Sequence, residues 1–345
     1  MTGWTDAQLA ELSGLGIGEL GRRFAVVTAD SLARNPAAAT PMAGMFVVDG
    51  KALRFRPRFP FTAGMTYAFL TRAPKGHTLP TSRPLLLTRP AAAQRVSTVV
   101  THIYPTADRL PVNTLRFYVH FSAPMSEGLA CAAVELLDLG SGQVLPGAIL
   151  PMEPELWDPR RARLTLLLDP GRIKRGLRPH TEAGYPLTPG RSVALVVHRA
   201  FLDASGAPLA AGAERRYSVG PAIRQRVEPP SWRIEAVHAG TRLPVRAIFD
   251  RPIDHALGLR CLTVIDDAGK PVPGHSTLEA GERSWSFTPA STWNGSAYAL
   301  LVAPELEDIA GNSVTRVFDR DLTNRDHRPR PAEPIQLGLT GRPND

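Results

Sequence analysis

Residues 55–70 read FRPRFPFTAGMTYAFL, and residues 287–301 read FTPASTWNGSAYALL. Each stretch begins with an aromatic residue two positions before a proline, passes through an aromatic residue and a glycine, and ends in a run that starts with tyrosine. A looser copy starts at Leu168 and Pro170 and resumes, after an insertion, at residues 189–197. A phrase repeated in this way indicates repeated modules. Because its unit is a strand, a proline turn and a second strand, it predicts an antiparallel β-sandwich rather than a catalytic site.

A second phrase is shared by the last two modules. Residues 115–124 read LRFYVHFSAP, and residues 245–252 read VRAIFDRP. The alternation is typical of a strand with one buried face, and the proline that follows ends the strand because it cannot donate to a ladder. The pattern predicts two sets of side chains in the first of these stretches. The core-facing set is Leu115, Phe117, Val119 and Phe121, and the outward-facing set is Arg116, Tyr118 and His120.

Two further landmarks follow in the same order in both modules. Residues 134–138 and 262–266 are each predicted to form a strand that runs into a glycine-bearing hairpin turn. Residues 203–206 and 308–311 each place an aspartate three residues before a glycine. We interpret the shared order as a duplication.

The order of these phrases resembles that of the bacterial Ig-like modules of S-layer and other envelope proteins. The resemblance covers residues 96–320 well and residues 20–72 in part. It implies an all-β fold of tandem Ig-like antiparallel β-sandwiches with a short N-terminal helix, and a role as a spacer, stalk or binding platform; it supplies no catalytic residues. The predicted organisation is an N-terminal helix with a partial module over 1–94, a sandwich with a loop insertion over 95–222, a sandwich over 228–322, and a disordered tail over 323–345.

The helical signal lies at the N-terminus. Leu9, Leu12, Leu15 and Leu20 recur at roughly helical spacing, so we predict a helix over residues 5–21 that packs onto the first module. Two short proline-bearing linkers are expected to join the modules semi-rigidly. These linkers are residues 89–94 and 220–230.

The chain has 345 residues and a net charge of +8. This length suits about three sandwiches of about 100 residues each. The arginines are scattered, and the sequence has no zinc-finger spacing, no RNA-binding aromatic signature and no basic helix. We therefore expect a solvated basic surface and no specific nucleic-acid partner. The sequence does not specify whether the partner is a protein or a polysaccharide.

The cysteines and the N-terminus bear on location. Cys131 and Cys261 precede corresponding strands of two different modules, so we expect two free, buried thiols rather than a disulfide. No secretory signal is visible, and no apolar run is long enough to form a transmembrane segment. The sequence thus leaves a cytoplasmic location open beside the cell-envelope or extracellular location that the resemblance implies.

Candidate binding residues are ring-bearing side chains of the second module. They are Trp157, Tyr118, His120 and Tyr185. Trp157 and Tyr185 could join Trp285 and Trp293 in a sugar-stacking face, although such aromatic residues more often fill the ends of a sandwich core. His120 is expected on a solvated strand face, and the histidines show no metal-ligand spacing.

Acidic residues supply the remaining candidates. Glu305 and Asp308 are candidates for a calcium turn, because calcium takes clustered oxygen ligands. The competing interpretation is an Asx turn in which the aspartate caps backbone N–H groups. Glu153, Glu155 and Asp158 offer a carboxylate pair, but the neighbouring prolines indicate an irregular loop with solvated carboxylates. We therefore predict no catalytic residue, no cofactor and no metal.

The sequence favours a non-catalytic structural or interaction scaffold. The alternative is a carbohydrate- or ligand-binding protein that uses the Trp157 loop and the insertion at residues 174–189, because long loops on a rigid scaffold often carry binding. An enzyme would need a concave pocket that holds at least two titratable residues with perturbed pKa.

Overall fold

The computed structural model describes residues 4–36, 39–71, 84–90, 97–294, 296–320 and 327–339. Strands dominate these residues and form antiparallel sheets around separate apolar cores, whereas the helices are short. The prediction of an all-β fold of tandem antiparallel sandwiches is confirmed. We call the three units the first, second and third sandwich in chain order. Gly295 of the repeated phrase and residues 91–94 of the first predicted linker lie outside the described residues.

The first sandwich packs a three-stranded sheet against a hairpin. Its elements are α1 (Asp6–Ser13), α2 (Ile17–Arg23), β1 (Phe24–Thr28), α3 (Ala29–Arg34), β2 (Gly44–Asp49), β3 (Ala52–Pro57), β4 (Thr66–Thr71) and β5 (Leu85–Thr88). The sheet has the order β1-β4-β5, and the hairpin is β2-β3. Phe24, Phe46, Leu53 and Tyr67 are buried between the two layers.

The predicted N-terminal helix is broken into two. Residues 5–21 do not form one helix, because α1 ends at Ser13 with Gly14 as its C-cap and α2 begins at Ile17 with Gly16 as its N-cap. Glycine is a poor helix former, since fixing its backbone costs more entropy than fixing that of other residues. Leu12 and Leu20 are buried in the first core, so the helix pair packs onto the first sandwich as predicted.

The second sandwich is built from two sheets around one core. Its elements are β6 (Val100–Tyr104), β7 (Arg109–Pro111), β8 (Arg116–Phe121), α4 (Ala130–Ala133), β9 (Val134–Asp138), β10 (Gln143–Val144), β11 (Leu156–Trp157), β12 (Arg163–Leu167), α5 (Pro170–Ile173), α6 (Arg178–Ala183), β13 (Ser192–Val197) and β14 (Ala213–Gly220). One sheet has the order β10-β9-β13-β14-β7 and the other β11-β12-β8-β6. Neighbours pair antiparallel except β7, which is parallel to β14. Leu115, Phe117, Val119 and Phe121 are buried in the core, as predicted.

The third sandwich repeats this two-layer plan. Its elements are β15 (Arg233–Ile234), β16 (Val245–Ile248), α7 (His255–Arg260), β17 (Leu262–Asp266), β18 (Gly274–Leu278), β19 (Ser284–Pro289), β20 (Tyr298–Val302) and β21 (Ile335–Gly338), with short 3-10 turns at Pro229–Ser231 and Ala280–Glu282. The sheets have the orders β15-β16-β19-β18 and β17-β20-β21. Strands β9 and β17 have the bounds that the matched landmarks predict.

Part of the predicted disordered tail is a strand. β21 pairs antiparallel with β20, so that Ile335 lies opposite Val302. Leu339 is buried in the third core. Ile335, Leu337 and Leu339 repeat with period two, which is the signal of a half-buried strand, and the polar, proline-rich composition around them concealed it. Residues 323–326 and 340–345 of the tail lie outside the described residues.

The repeated phrase forms the same local structure in the first and third sandwiches. Gly44 in β2 and Gly274 in β18 each lie opposite the proline of the phrase. The ring of the preceding aromatic residue, Phe55 or Phe287, covers the glycine. A Cβ added at either glycine would come closer than 3.0 Å both to that ring and to a backbone oxygen of the facing strand. The phrase therefore requires a glycine on the preceding strand, 11 residues before Phe55 in one copy and 13 residues before Phe287 in the other. The repeated sequence did not reveal this partner.

The tyrosine of the phrase also has the same role in both copies. The Tyr67 hydroxyl accepts a hydrogen bond from the Thr62 N–H at 2.7 Å, and the Tyr298 hydroxyl accepts one from the Asn294 N–H at 3.3 Å. A tyrosine that starts a strand and bonds back to upstream backbone is a recurring feature of Ig-like sandwiches. The repeat in sequence therefore corresponds to a repeat in structure.

The first and second sandwiches are in direct contact. Oε1 of Glu127 accepts a hydrogen bond from the Ala43 N–H at 3.0 Å. The Arg161 guanidinium lies 4.8 Å from the ring centre of Phe59, which is buried in the second core. Burial raises the pKa of Glu127 to about 7. A polar and an aromatic contact thus join these two units.

Candidate interaction site between the second and third sandwiches

The outward face of β8 is covered by the third sandwich. Tyr118 belongs to the face predicted to meet solvent, but it is only 5% exposed. Its hydroxyl donates to Asp254, 2.8 Å from Oδ1 and 2.9 Å from Oδ2. The prediction is wrong here because alternation identifies the face that meets a strand's own core, and not what covers the other face.

Arg116 of the same face is paired with two carboxylates of the third sandwich. Its Nε lies 3.5 Å from Oδ2 of Asp254, and its Nη2 bonds Oε2 of Glu307. Asp254 also accepts the N–H of Leu257 at 3.0 Å and so caps α7. Burial alone would lower the pKa of Arg116, but the two carboxylates outweigh this effect and raise it. The guanidinium therefore stays charged although its side chain is only 18% exposed.

The protonation of Tyr118 follows from the same surroundings. Burial raises its pKa, and the Asp254 carboxylate raises it further. The hydroxyl therefore keeps its proton at neutral pH and acts as a donor to the carboxylate. Breaking a buried pair of this kind by removing one partner is costly, because the other partner is left without compensation.

Glu282 extends from the third sandwich to the second. Its carboxylate accepts hydrogen bonds from the Thr106 N–H at 2.8 and 2.9 Å, from the Thr106 hydroxyl at 2.6 Å and from the Ala107 N–H at 3.3 Å. In return, the Thr106 hydroxyl accepts the Gly281 N–H at 2.7 Å. The pKa of Glu282 is raised above its ordinary value because burial outweighs the hydrogen bonds from Thr106, which act to lower it. Glu282 has a φ of 50°, in the left-handed region that residues other than glycine seldom adopt, so the surrounding contacts must hold it there.

The linker between the second and third sandwiches is hydrogen-bonded to both of them. Asn113 exchanges two hydrogen bonds with the backbone of Ile223, at 2.7 and 3.0 Å. Asn312 donates to the same Ile223 carbonyl at 3.0 Å. The Leu115 N–H also donates to the Ile309 carbonyl at 2.9 Å. The second predicted linker is therefore part of the junction.

Rings from both sandwiches also meet at the junction. Tyr104 stacks on His255 with ring centres 3.4 Å apart, and its ring centre is 5.1 Å from that of His120. His120 and His255 are 6.0 Å apart, with His102 at 6.5 Å from His120. Within the described ranges, His120 Nε2 and His255 Nδ1 are buried without a hydrogen-bond partner. Burial lowers the pKa of both imidazoles to about 4, so both rings are neutral at neutral pH. His120 is thus half-buried at an interface rather than solvated.

The aromatic residues proposed as a sugar-binding face are dispersed. Trp157, Trp285 and Trp293 are at most 7% exposed. Tyr185 is half-buried, and its hydroxyl accepts a hydrogen bond from Arg224. The tryptophans fill sandwich cores, so they cannot stack on a sugar, and the proposed face does not form.

The acidic loop has a structural role. Glu155 was expected to be solvated, but it is buried and accepts hydrogen bonds from Trp157 Nε1 at 2.8 Å, from the Gly128 N–H at 2.9 Å and from the Ala130 N–H at 2.7 Å. Asp158 accepts bonds from two backbone N–H groups at 2.8 Å. Glu153 is exposed. The interpretation of Glu155 as a solvated carboxylate is therefore wrong, because the loop folds back onto the start of α4.

The two residues suggested for calcium lie in different surroundings. Glu305 is exposed, whereas Asp308 is buried and its Oδ1 accepts the N–H groups of Ala310 and Asn312 at 2.9 and 3.0 Å. This is the geometry of an Asx turn. In the part of the chain that the structure describes, no group of three or more His, Cys, Asp or Glu side chains is arranged to hold a metal ion.

The cysteines are free, as expected, but only Cys261 is buried. Cys131 is exposed, so the expectation of two buried thiols is wrong for this residue. The helices that the structure describes are short, and none of them combines the length and apolar character of a bilayer-crossing helix.

Three residues that form the junction were not identified from the sequence. They are Asp254, Glu282 and Glu307. Each is an acidic residue at the end of a predicted strand or in a turn, where acidic side chains are normally solvated. The sequence does contain one signal that could have pointed to acidic partners, which is the charged Arg116 within an apolar strand. If the outward face of that strand is covered, a charge on it needs a partner of opposite charge.

Comparisons with known proteins do not place the chain in a family. No protein family matches it, and no curated protein does. Among solved structures, Rst D1-D2 is 9% identical with a TM-score of 0.20, and the match covers 71% of this chain and 99% of that one. The MG0-NIE-MG1 domains of alpha-2-macroglobulin from Escherichia coli are 10% identical with a TM-score of 0.23, covering 60% and 66% of the two chains. At these TM-scores the likeness adds nothing to the fold seen in the structure.

Proposed function

We propose that this protein is a non-catalytic structural or interaction scaffold of the bacterial cell envelope, built from Ig-like sandwiches. The observation that carries the proposal is the buried network of Tyr118, Arg116, Asp254 and Glu307. A buried network of this kind favours one arrangement of the two sandwiches, because any other packing of the same faces would leave buried charges without their partners. A spacer or platform needs such a fixed arrangement.

The titratable groups at the junction support a structural role. Glu282 is bonded to Thr106, Asp254 to Tyr118, and Asp308 to Asn312. A general acid or base must instead reach the substrate proton that it transfers. Each of these carboxylates has its bonds directed to neighbouring protein groups.

The carbohydrate-binding alternative loses its aromatic strip, one of the features on which it rested beside the insertion at residues 174–189. An exposed aromatic strip would favour it, but Trp157, Trp285 and Trp293 are buried. We therefore keep the scaffold as the proposed function and assign no sugar site to the second sandwich.

The location is tested by fractionating the native organism and measuring the intact mass of the protein in each fraction. We expect recovery from the envelope or the medium, with an N-terminus that has been processed or that lies upstream of Met1. Recovery of an unprocessed chain from the cytosol would contradict the envelope assignment and leave an intracellular scaffold.

A further inference from the structure

A cleft of about 590 Å³ lies beside the buried network, between the second and third sandwiches. Residues 106–111, Gly220 and Pro221 line it from the second sandwich, and Arg251, Gly281 and Arg283 are among those that line it from the third. Its volume falls within the range of small-molecule sites, roughly 300–1,000 Å³. Because both sandwiches supply walls, the cleft exists only while the junction is closed.

The first cation of the cleft is Arg109, which is held flat against a glycine. A Cβ added to Gly220 would lie 2.6 Å from Arg109 Nε, so the missing side chain makes room for the guanidinium. Arg109 is exposed, and the described residues give it no carboxylate partner within 4.0 Å. A guanidinium without a counter-ion has its planar donor set available to an oxyanion.

Two further arginines come from the third sandwich. Arg283 donates to the Asp250 carbonyl at 2.9 Å, and no carboxylate of the described ranges pairs with it. Arg251 is 2.7 Å from Oδ2 of Asp250 and 3.6 Å from Oδ2 of Asp308, so its charge is already compensated. Arg109 and Arg283, which have no carboxylate partner among the described residues, therefore line the cleft from opposite sandwiches.

The remaining charge of the cleft does not cancel them. Among the described residues that line it, Asp108 is the one carboxylate, and its Oδ1 lies 3.3 Å from Arg215. The wall that carries Asp108 and Arg109 is fixed by the bonds of Glu282 to Thr106 and Ala107. The cleft is thus preorganised and carries an excess of positive charge, which favours an anionic occupant.

We propose that this cleft binds a small molecule with two oxyanion groups, either phosphates or carboxylates, one on Arg109 and the other on Arg283. Guanidinium groups recognise both kinds of oxyanion through paired N–H donors. The ligand contacts both sandwiches at once and therefore binds only the closed junction. This proposal adds a ligand to the proposed scaffold function, and it does not depend on where in the cell the protein lies.

The test is isothermal titration calorimetry on the full chain at low salt with two probes, inorganic pyrophosphate and citrate. Pyrophosphate represents a phosphate ligand and citrate a carboxylate ligand, so the tighter probe identifies the source of the oxyanions. We expect saturable binding that weakens with added salt. We expect a Kd at least about tenfold higher in the double variant Arg109→Gln/Arg283→Gln, and a smaller rise in each of the single variants Arg109→Gln and Arg283→Gln, because every substitution removes hydrogen bonds to a charged group.

Two variants separate a specific site from general attraction. Arg160→Gln removes an exposed arginine outside the cleft and is expected to bind like the parent. Gly220→Ala keeps the net charge but displaces the Arg109 guanidinium, and it is expected to weaken binding as Arg109→Gln does. The proposal is overturned if neither probe binds the parent chain, or if Arg109→Gln and Arg283→Gln, each tested singly, lose no more affinity than Arg160→Gln, which removes the same charge.

Discussion

The Tyr118 hydroxyl of β8 donates to both carboxylate oxygens of Asp254, at 2.8 and 2.9 Å, across the boundary between two sandwiches. Arg116, two residues earlier on the same strand, pairs with the same carboxylate. One carboxylate of the third sandwich is therefore shared by two side chains of the second, next to the N–H that it caps in α7. Asp254 therefore has two partners across the junction and a third in its own sandwich.

Replacing Asp254 is expected to destabilise the protein more than replacing its hydroxyl partner. Asp254→Ala leaves Arg116 buried with less compensation, and we expect a loss of about 3 kcal/mol in the free energy of unfolding. Tyr118→Phe removes one hydrogen bond to a charged acceptor, and we expect a loss of about 1.5 kcal/mol. Urea denaturation measures both, with the exposed Asp267→Ala as the control. Equal losses in Asp254→Ala and Asp267→Ala would contradict the role of the network.

The junction is expected to weaken in acid because of its histidines. The pKa of His255 and of His120 is lowered to about 4 in the folded protein, against an ordinary value of about 6.5 in the unfolded chain. The unfolded chain therefore binds more protons between these values, so stability falls as pH decreases from about 6.5 and the loss is complete below about 4. The groups that face the two rings are Tyr104, His102, Arg163, Asp158 and Glu282.

A substitution isolates this contribution from that of the other groups. His255→Phe can still stack on Tyr104 but cannot take up a proton, so its free energy of unfolding is expected to fall less steeply than that of the parent over this pH range. The measurement is urea denaturation at a series of pH values. His238→Gln, at an exposed position, serves as the control and should follow the parent curve. Parallel curves for His255→Phe and the parent would overturn the prediction.

The two glycines covered by the repeated phrase are expected to respond alike to substitution. An alanine at Gly44 or at Gly274 would press on the ring of Phe55 or Phe287 and on a strand carbonyl, and we expect each to lose about 2 kcal/mol of stability, as overpacked sites do. Gly338→Ala is the control, because an added Cβ there meets no atom within 4 Å. Thermal and urea unfolding measure the change. A harmless alanine at either position would contradict the equivalence of the two copies.

Glu155 is expected to matter for stability although it lies in an acidic loop. Glu155→Ala leaves the Trp157 indole N–H and two backbone N–H groups without their acceptor. We expect a loss of about 2 kcal/mol, since each buried unsatisfied donor is costly. Near-ultraviolet circular dichroism would report the altered Trp157 environment beside the loss in denaturation midpoint. An unchanged spectrum and midpoint would show that the loop carboxylate is solvated after all.

The sequence predicted the strands but not the surfaces that cover them. Alternation placed Phe117 and Val119 in the core correctly, because a strand's two faces differ in polarity when one is buried. It failed for Tyr118, since contact with another sandwich leaves no period in the sequence. The two copies of the phrase predicted a repeat, yet not the partner glycines Gly44 and Gly274, which lie on the preceding strands.

Local turn chemistry was predicted with mixed success. The break at Gly14 and Gly16 is visible in the sequence, but the leucine spacing outweighed it in the prediction of one helix. The Asx turn at Asp308 depends on neighbours within four residues and could be anticipated. The role of Glu155 could not be anticipated, because two of the N–H groups that donate to its carboxylate belong to Gly128 and Ala130, which lie 27 and 25 positions earlier in the chain.

The most direct test of the fixed junction is a distance measurement between spin labels on the second and third sandwiches. Labels would be attached at the exposed positions of Gln143→Cys and Ala268→Cys, in a background in which the exposed Cys131 is replaced by serine. We expect one narrow distance distribution by double electron–electron resonance, broadened by Asp254→Ala and unaffected by Arg160→Gln. A broad distribution in the parent chain would contradict the claim that the two sandwiches form one rigid unit.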